Sequence, residues 1–176
     1  SSNLFAEADW HVEASYLPIE TIWPWLFIKR EADSEPLLHL AHAIPKGDLQ
    51  EFWFRTHDGA WETGGRLIDF RSKPYKKLPG VAHLNASFYA NSDQGWLTLD
   101  GKQLVLDMPR YMESAIDIDH LAGTLAWSRD DGGYWRLLSN RIDLQRSTAS
   151  GQLMFGLDFP KLGMPSLRLL GEFDNA

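Results

Sequence analysis

Two histidines three residues apart, His39 and His42, are the nearest approach this sequence makes to a metal motif. On a helix, positions i and i+3 share a face and two neutral imidazoles could begin a zinc site. No carboxylate ligand is evident beside them, so a polar helix edge is the expected arrangement. Asp117, Asp119 and Asp143 are the next candidates, as oxygen ligands for calcium or as an acid/base set. On strands, Asp117 and Asp119 fall on the same side, the outward polar side of a half-buried sheet. The chain has no G-x-S-x-G elbow, no H-E-x-x-H helix and no phosphate loop. It also has no cysteine, which removes thiol nucleophiles, thiolate zinc sites and disulfide frameworks. The expectation is a non-enzymatic protein with no metal and no cofactor.

Two other groups of residues bear on binding. Eight tryptophans are many for 176 residues, and exposed indoles stack well on sugar faces. If Trp53, Trp61, Trp96 and Trp135 supplied at least two coplanar exposed rings, a carbohydrate- or cell-envelope-binding β-module would follow. Arg71, Lys73, Lys76 and Lys77 place four cations in seven residues. A solvated loop is the ordinary reading of that run, and contact with anionic head groups is the sharper one. The formal net charge of -7 argues against a general nucleic-acid binder, because neutralising phosphates needs a concentrated basic surface.

The elements that would carry these residues are mostly strands. Asp58-Gly59, Asp93-Gln94-Gly95, Asp100-Gly101, Asp131-Gly132-Gly133 and Ser150-Gly151 each put a turn-permissive residue between apolar runs, which predicts hairpins joining sequence neighbours into a meander. Leu121, Gly123, Leu125 and Trp127 alternate against Ala122, Thr124, Ala126 and Ser128. Leu153, Phe155, Leu157 and Phe159 repeat the pattern, and Leu167, Leu169 and Phe173 continue it. Such a sheet has one apolar face that needs a second sheet, helices, a partner or a ligand over it.

The first third reads differently. A strand candidate at Ala6, Ala8, Trp10 and Val12 leads to Ile19, Ile22, Trp23, Leu26 and Phe27, spaced for one helical face with Pro24 as a kink. Ser34 and Pro36 then open a second helix carrying Leu37, Leu40, Ala41 and Ile44, ended by Pro45-Lys-Gly47. The predicted class is therefore α+β, mainly β: an antiparallel β-meander over 48–176, preceded over 1–47 by a strand and two short amphipathic helices packed on its apolar face. A single domain of this length can bury roughly 70% of its unfolded surface without a staple. No apolar run approaches the ~20 residues of a membrane span and no signal peptide is recognisable. The chain starts without Met and stops within a strand-like pattern, so it reads as a piece excised from a longer protein.

An ordered series of motifs resembles YhdP-type proteins of the AsmA-like superfamily, which includes TamB. Leu40 to Leu49 (LAHAIPKGDL) is similar to the segment that introduces the strands in that family. Trp61 to Phe70, Leu78 to Val81, and Leu84 to Leu99 with its G.L.L at Gly95 to Leu99 follow in order. Leu121 to Arg136 (LAGTLAWSRDDGGYWR) resembles the family's l.G.l.W hairpin, and Pro165 to Phe173 its closing strand. The resemblance covers the chain from about Leu17 and implies a function. Its members are anchored in the inner membrane of Gram-negative bacteria, cross the periplasm, and carry phospholipid toward the outer membrane in an extended, curled sheet with an apolar inner face.

On that reading Leu97, Leu99, Leu125, Trp127, Leu153, Phe155, Leu157 and Phe159 line a lipid groove, and Ile22, Trp23, Leu26 and Phe27 form a possible gate helix. The implied partners are phospholipid or acyl chains and neighbouring segments of the same full-length chain. Carbohydrate binding, or a scaffold segment whose sheet edges pair with adjoining parts of the chain, are the alternatives.

Overall fold

The computed structural model describes residues 9–22, 42–75, 79–110, 112–130, 132–159 and 166–175. Their elements are β1 (Trp10–Pro18), α1 (Ile19–Ile22), β2 (Lys46–His57), β3 (Ala60–Ser72), β4 (Gly80–Asn91), β5 (Gln94–Asp107), β6 (Ile116–Arg129), β7 (Trp135–Ser139), β8 (Ile142–Arg146), β9 (Ala149–Phe159) and β10 (Ser166–Asn175). All ten strands form one antiparallel sheet whose order follows the chain, with β8 beside β6 and β9. β7 and β8 are thus one strand interrupted at Asn140 and Arg141. Asn140 ties the interruption to β6: its N–H donates to the Thr124 carbonyl (2.9 Å), and its side-chain oxygen accepts from the Thr124 N–H (2.6 Å).

Local chemistry explains the hairpins. Asp58 and Gly59 adopt φ of 49° and 76° and close β2 on β3. At the β4–β5 turn the Asn91 side-chain oxygen accepts from the N–H groups of Asp93 (2.9 Å) and Gln94 (2.8 Å), an Asx turn. Gly133 at φ 80° turns β6 into β7. Two of the expected turns are not turns. Asp100-Gly101 lies within β5 and Ser150-Gly151 within β9, whose turn falls just earlier at Ser147 and Thr148. There glycine supplies room instead of positive φ. A Cβ on Gly151 would meet the Phe173 ring at 2.2 Å, and one on Gly101 would meet Leu104 at 3.1 Å.

The helical expectation needs correction. Among the described residues there is one short helix, α1, not two amphipathic helices. Ile19 is buried at its start, while Ile44, expected on an apolar helix face, is 48% exposed with φ 47°. Trp23, Leu26 and Phe27 of the proposed gate, and the second helix up to Ala41, lie outside the described residues. The strand expected from Ala6 begins, within the described residues, at Trp10.

Leu104 and Ile118, partners across β5 and β6, are buried together, and beside them a buried belt crosses the sheet. Leu49, Ala86, Leu99 and Ile142 are all under 9% exposed, and none of the described buried side chains is polar or charged. Burying a leucine or isoleucine contributes about 1.5–3 kcal/mol, so this belt is a main source of the sheet's stability.

Candidate functional site

Cross-strand partners in an antiparallel ladder share a face, so the registers can be followed from one edge of the sheet to the other. One row runs Val12, Phe54, Thr63, Ala90, Gly95, Trp127, Leu137, Leu157 and Leu167, each paired with the next across nine strands. Two residues along each strand lies a second row. It contains Ala14 and Phe52, then Gly65, Phe88, Leu97, Leu125 and Ser139, then Phe155 and Leu169. A third row holds the buried belt: Leu17, Leu49, Leu67, Ala86, Leu99 and Gly123, continued by Ile142, Leu153 and Gly171. Ile142 lies where a Cβ on Gly123 would go, 2.8 Å away, which carries the row over the break between β7 and β8.

Irregularities keep these rows on one face, in β1 between Ala14 and Leu17 and in two further places. Between Gln50 and Trp53 the β2–β3 register slips by one residue, and Glu51 there has φ 50°. The inserted residue is a β-bulge, and it puts Leu49, Phe52 and Phe54 on the same side although their spacing breaks the period of two. Asn140 and Arg141 do the same between Leu137, Ser139 and Ile142.

All eight residues expected to line a groove, Leu97, Leu99, Leu125, Trp127, Leu153, Phe155, Leu157 and Phe159, fall on this face. Leu99 is buried, Phe159 is 42% exposed, and the others are half-buried. The sequence reading missed the contribution of β2 to β4: Phe52, Phe54, Leu67 and Phe88. Its usable signal was the Leu49-x-x-Phe52-x-Phe54 run, which signals a bulged strand. Ile22, half-buried at the end of α1, is the one gate candidate among the described residues.

The opposite face is polar with an aromatic strip. Trp53, Tyr89 and Trp96 lie on it, with Trp53–Tyr89 ring centroids 6.1 Å apart and Tyr89–Trp96 6.5 Å apart. Trp61 and Trp135 belong to the apolar side by their pairing with Thr56 and Phe159, so the four tryptophans do not make a single platform. Also on the polar face, Asp158 is clamped between Arg136 (2.8 Å) and Arg168 (2.9 Å), joining β7, β9 and β10. The hydrogen bond from Arg136 chiefly, with the charge of Arg168, holds its carboxyl below the usual aspartate range. Asp69 is lowered likewise, first by Arg71 (2.7 Å) and then by His83 (2.8 Å).

The metal and acid/base candidates do not assemble. His42 stacks on Tyr75 at 4.7 Å, and His39 lies outside the described residues. Asp117 and Asp119 are exposed on β6, whereas Asp143 pairs opposite Ala122 and sits 3.4 Å from Arg141. Among the described residues no three His, Cys, Asp or Glu side chains converge on a metal-sized site. Of the cationic run, Lys76 and Lys77 lie outside the described residues, and Arg71 is engaged by Asp69.

The sheet therefore defines a class: an antiparallel β-meander with one continuous apolar face and one polar face, bounded among the described residues by the edge strands β1 and β10. The family model described as YhdP protein matches residues 2–176, and the chain belongs to the YhdP family, a family of bacterial envelope proteins. No curated protein and no solved structure matches the chain. No helix of the described residues is long and apolar enough to cross a membrane.

Proposed function

We propose that this chain is a non-enzymatic segment of a periplasm-spanning, inner-membrane-anchored lipid carrier, and that its apolar face holds the acyl chains of phospholipid moving between the two membranes of a Gram-negative bacterium. The observation that carries this reading is the set of apolar rows crossing every strand. A row perpendicular to the strands is a track along the sheet, and a track of alkyl and aromatic groups attracts acyl chains without direction, at roughly 0.8 kcal/mol per buried methylene.

Curling of the sheet toward that face fits its glycines. Gly65, Gly95, Gly101, Gly123, Gly151 and Gly171 all stand on the apolar side, several of them directly beneath a neighbouring ring or branched side chain. Side chains converge on the concave side of a curved sheet, and glycine relieves the crowding there. Membership of the YhdP family supports the envelope setting.

The test is site-specific photocrosslinking in cells, with the probe at Leu125, Phe155 and Leu157 of the full-length protein and at Thr124 and Asp158 as controls on the other face. Phospholipid adducts from the first set alone are expected. Absence of adducts from both sets would reduce the segment to a structural or glycan-binding module.

A further inference from the structure

Beyond the belt a crease crosses the sheet. Gly47, Asp69, His83 and Gln103, one on each of β2 to β5, have φ of 124°, 49°, 61° and 53°. They stand at one level. A Cβ on Gly47 would lie 3.0 Å from the Asp69 carbonyl oxygen, and the Asp69 carboxylate meets His83 Nδ1 at 2.8 Å. The His83 carbonyl oxygen in turn lies 3.8 Å from the Cβ position of Gly101, two residues before Gln103. The β2–β3, β3–β4 and β4–β5 registers all shift at this level. A bulge bends its own strand and increases the local twist, so bulges aligned on neighbouring strands bend the sheet along one line.

Across the crease the apolar face returns after three residues instead of two. On β3 Leu67 is followed by Phe70, on β5 Gly101 by Leu104, and on β6 Leu121 is preceded by Ile118. The Leu104 Cβ comes within 3.6 Å of one built on Gly101, and Leu104 and Ile118 are only 2% and 3% exposed. The chain around α1 and before β2 closes the same end. There the Gly47 N–H donates to the Glu20 carboxylate (3.4 Å), the Lys73 N–H donates to the Ala43 carbonyl (2.7 Å), and Ile19 and Ala43 are buried.

Every buried apolar side chain among the described residues thus belongs to the belt or to this corner, and none to the two rows nearer the tips of the β2–β3, β4–β5 and β6–β7 hairpins. Phe88, Leu97 and Leu125 in one of those rows, and Trp127, Leu137 and Leu157 in the other, are half-buried. Both rows open further toward the sheet edges, where Val12 is 47%, Leu167 60% and Leu169 65% exposed. Rows two residues apart along a strand are about 7 Å apart, so the open strip is two side chains wide. A close-packed corner leaves no space for an alkyl chain.

Resting on the lipid-groove reading, we propose that the crease sets the inner limit of the lipid track. Acyl chains run on the two open rows between the crease and the hairpin tips, and the belt with its Leu104–Ile118 corner is a closed spine that no lipid enters. Leu99, expected in the groove lining, belongs to the spine.

A leucine analogue carrying a diazirine, incorporated in place of leucine throughout the full-length protein in cells, tests this without changing side-chain size appreciably. After irradiation the crosslinked residues are mapped by mass spectrometry, and a diazirine captures what lies in contact with it. Phospholipid adducts are expected at Leu97 and Leu125 in one row and at Leu137 and Leu157 in the other. Leu49, Leu99 and Leu104 are expected to lose them altogether and to give crosslinks within the protein instead, which also shows that the probe is present and active there. Phospholipid on Leu99 or Leu104 as often as on Leu97, or adducts confined to one of the two rows, overturns the inference and leaves the groove standing. Phospholipid on none of the seven leucines overturns the groove itself, and the inference with it.

Discussion

Gly95→Ala is the smallest change that tests the side assignment of the sheet. Gly95 stands opposite Trp127 in the β5–β6 ladder. A Cβ built on it would lie 2.3 and 2.6 Å from two atoms of the indole ring and 2.6 Å from the backbone oxygen of Tyr89. All three distances are far inside van der Waals contact. The indole can tilt away, but the carbonyl belongs to the β4–β5 ladder and moves only with the strand. Overpacking costs about 1–3 kcal/mol, and the backbone obstacle puts this case in the upper half, about 2–3 kcal/mol. For a chain of this size each kcal/mol shifts Tm by about 2–4 °C, so a fall of roughly 4–12 °C is expected. Thermal unfolding followed by far-ultraviolet circular dichroism measures it, on wild type, Gly95→Ala, Trp127→Leu and the double variant. Trimming Trp127 removes the ring contacts and leaves the carbonyl. The alanine penalty should therefore shrink by about 1 kcal/mol in the double variant without vanishing, a coupling of the size contacting residues show. A Gly95→Ala protein melting within about one degree of wild type would mean that Trp127 does not cover Gly95, and the row built through that pair would be wrong.

Two further outcomes follow from the same geometry. Leu99→Ala, in the buried belt, should lower stability by about 3 kcal/mol. Its neighbour Thr98→Ala, on the polar face with only the exposed contact to Thr124 at 3.2 Å, should stay within about 0.5 kcal/mol; equal costs in urea titrations would refute the sidedness. The Arg136–Asp158–Arg168 clamp predicts an acid-sensitive contribution. The native pKa of Asp158 is below its unfolded value, so the unfolded chain binds more protons in that window. The contribution is therefore full above the ordinary aspartate range and lost as pH falls through the lowered native pKa. Asp158→Asn should flatten the acid limb of a Tm-against-pH profile, and an unchanged limb would show that the clamp contributes nothing.

How far the sequence reaches can be judged strand by strand. β6 and β9 were readable because Leu121 to Trp127 and Leu153 to Phe159 alternate without interruption, and alternation is a property of the local backbone. The meander was readable for the same reason, since Asp58-Gly59 and Gly133 are φ-permissive residues at the tips of hairpins. β2 escaped because the bulge at Glu51 shifts its apolar positions out of period, and a bulge is specified by the partner strand as much as by its own residues. Gly101 and Gly151 were misread because a glycine in a turn and a glycine beneath a side chain look alike until the partner is known. The short helix α1 was foreseen in place, from Ile19, though a four-residue turn is less than the pattern promised.

The sequence by itself determined that the chain is a β-meander, that its later strands have one apolar and one polar side, and, through its ordered motifs, that it resembles the family to which it belongs. Only the tertiary structure decided that these sides join into rows crossing all the strands, and that Trp61 and Trp135 part from Trp53 and Trp96. The reason is physical: period-two alternation fixes a side chain's direction relative to its own strand. Which residues become neighbours is set by register, and register depends on bulges and cross-strand packing between residues far apart in the chain.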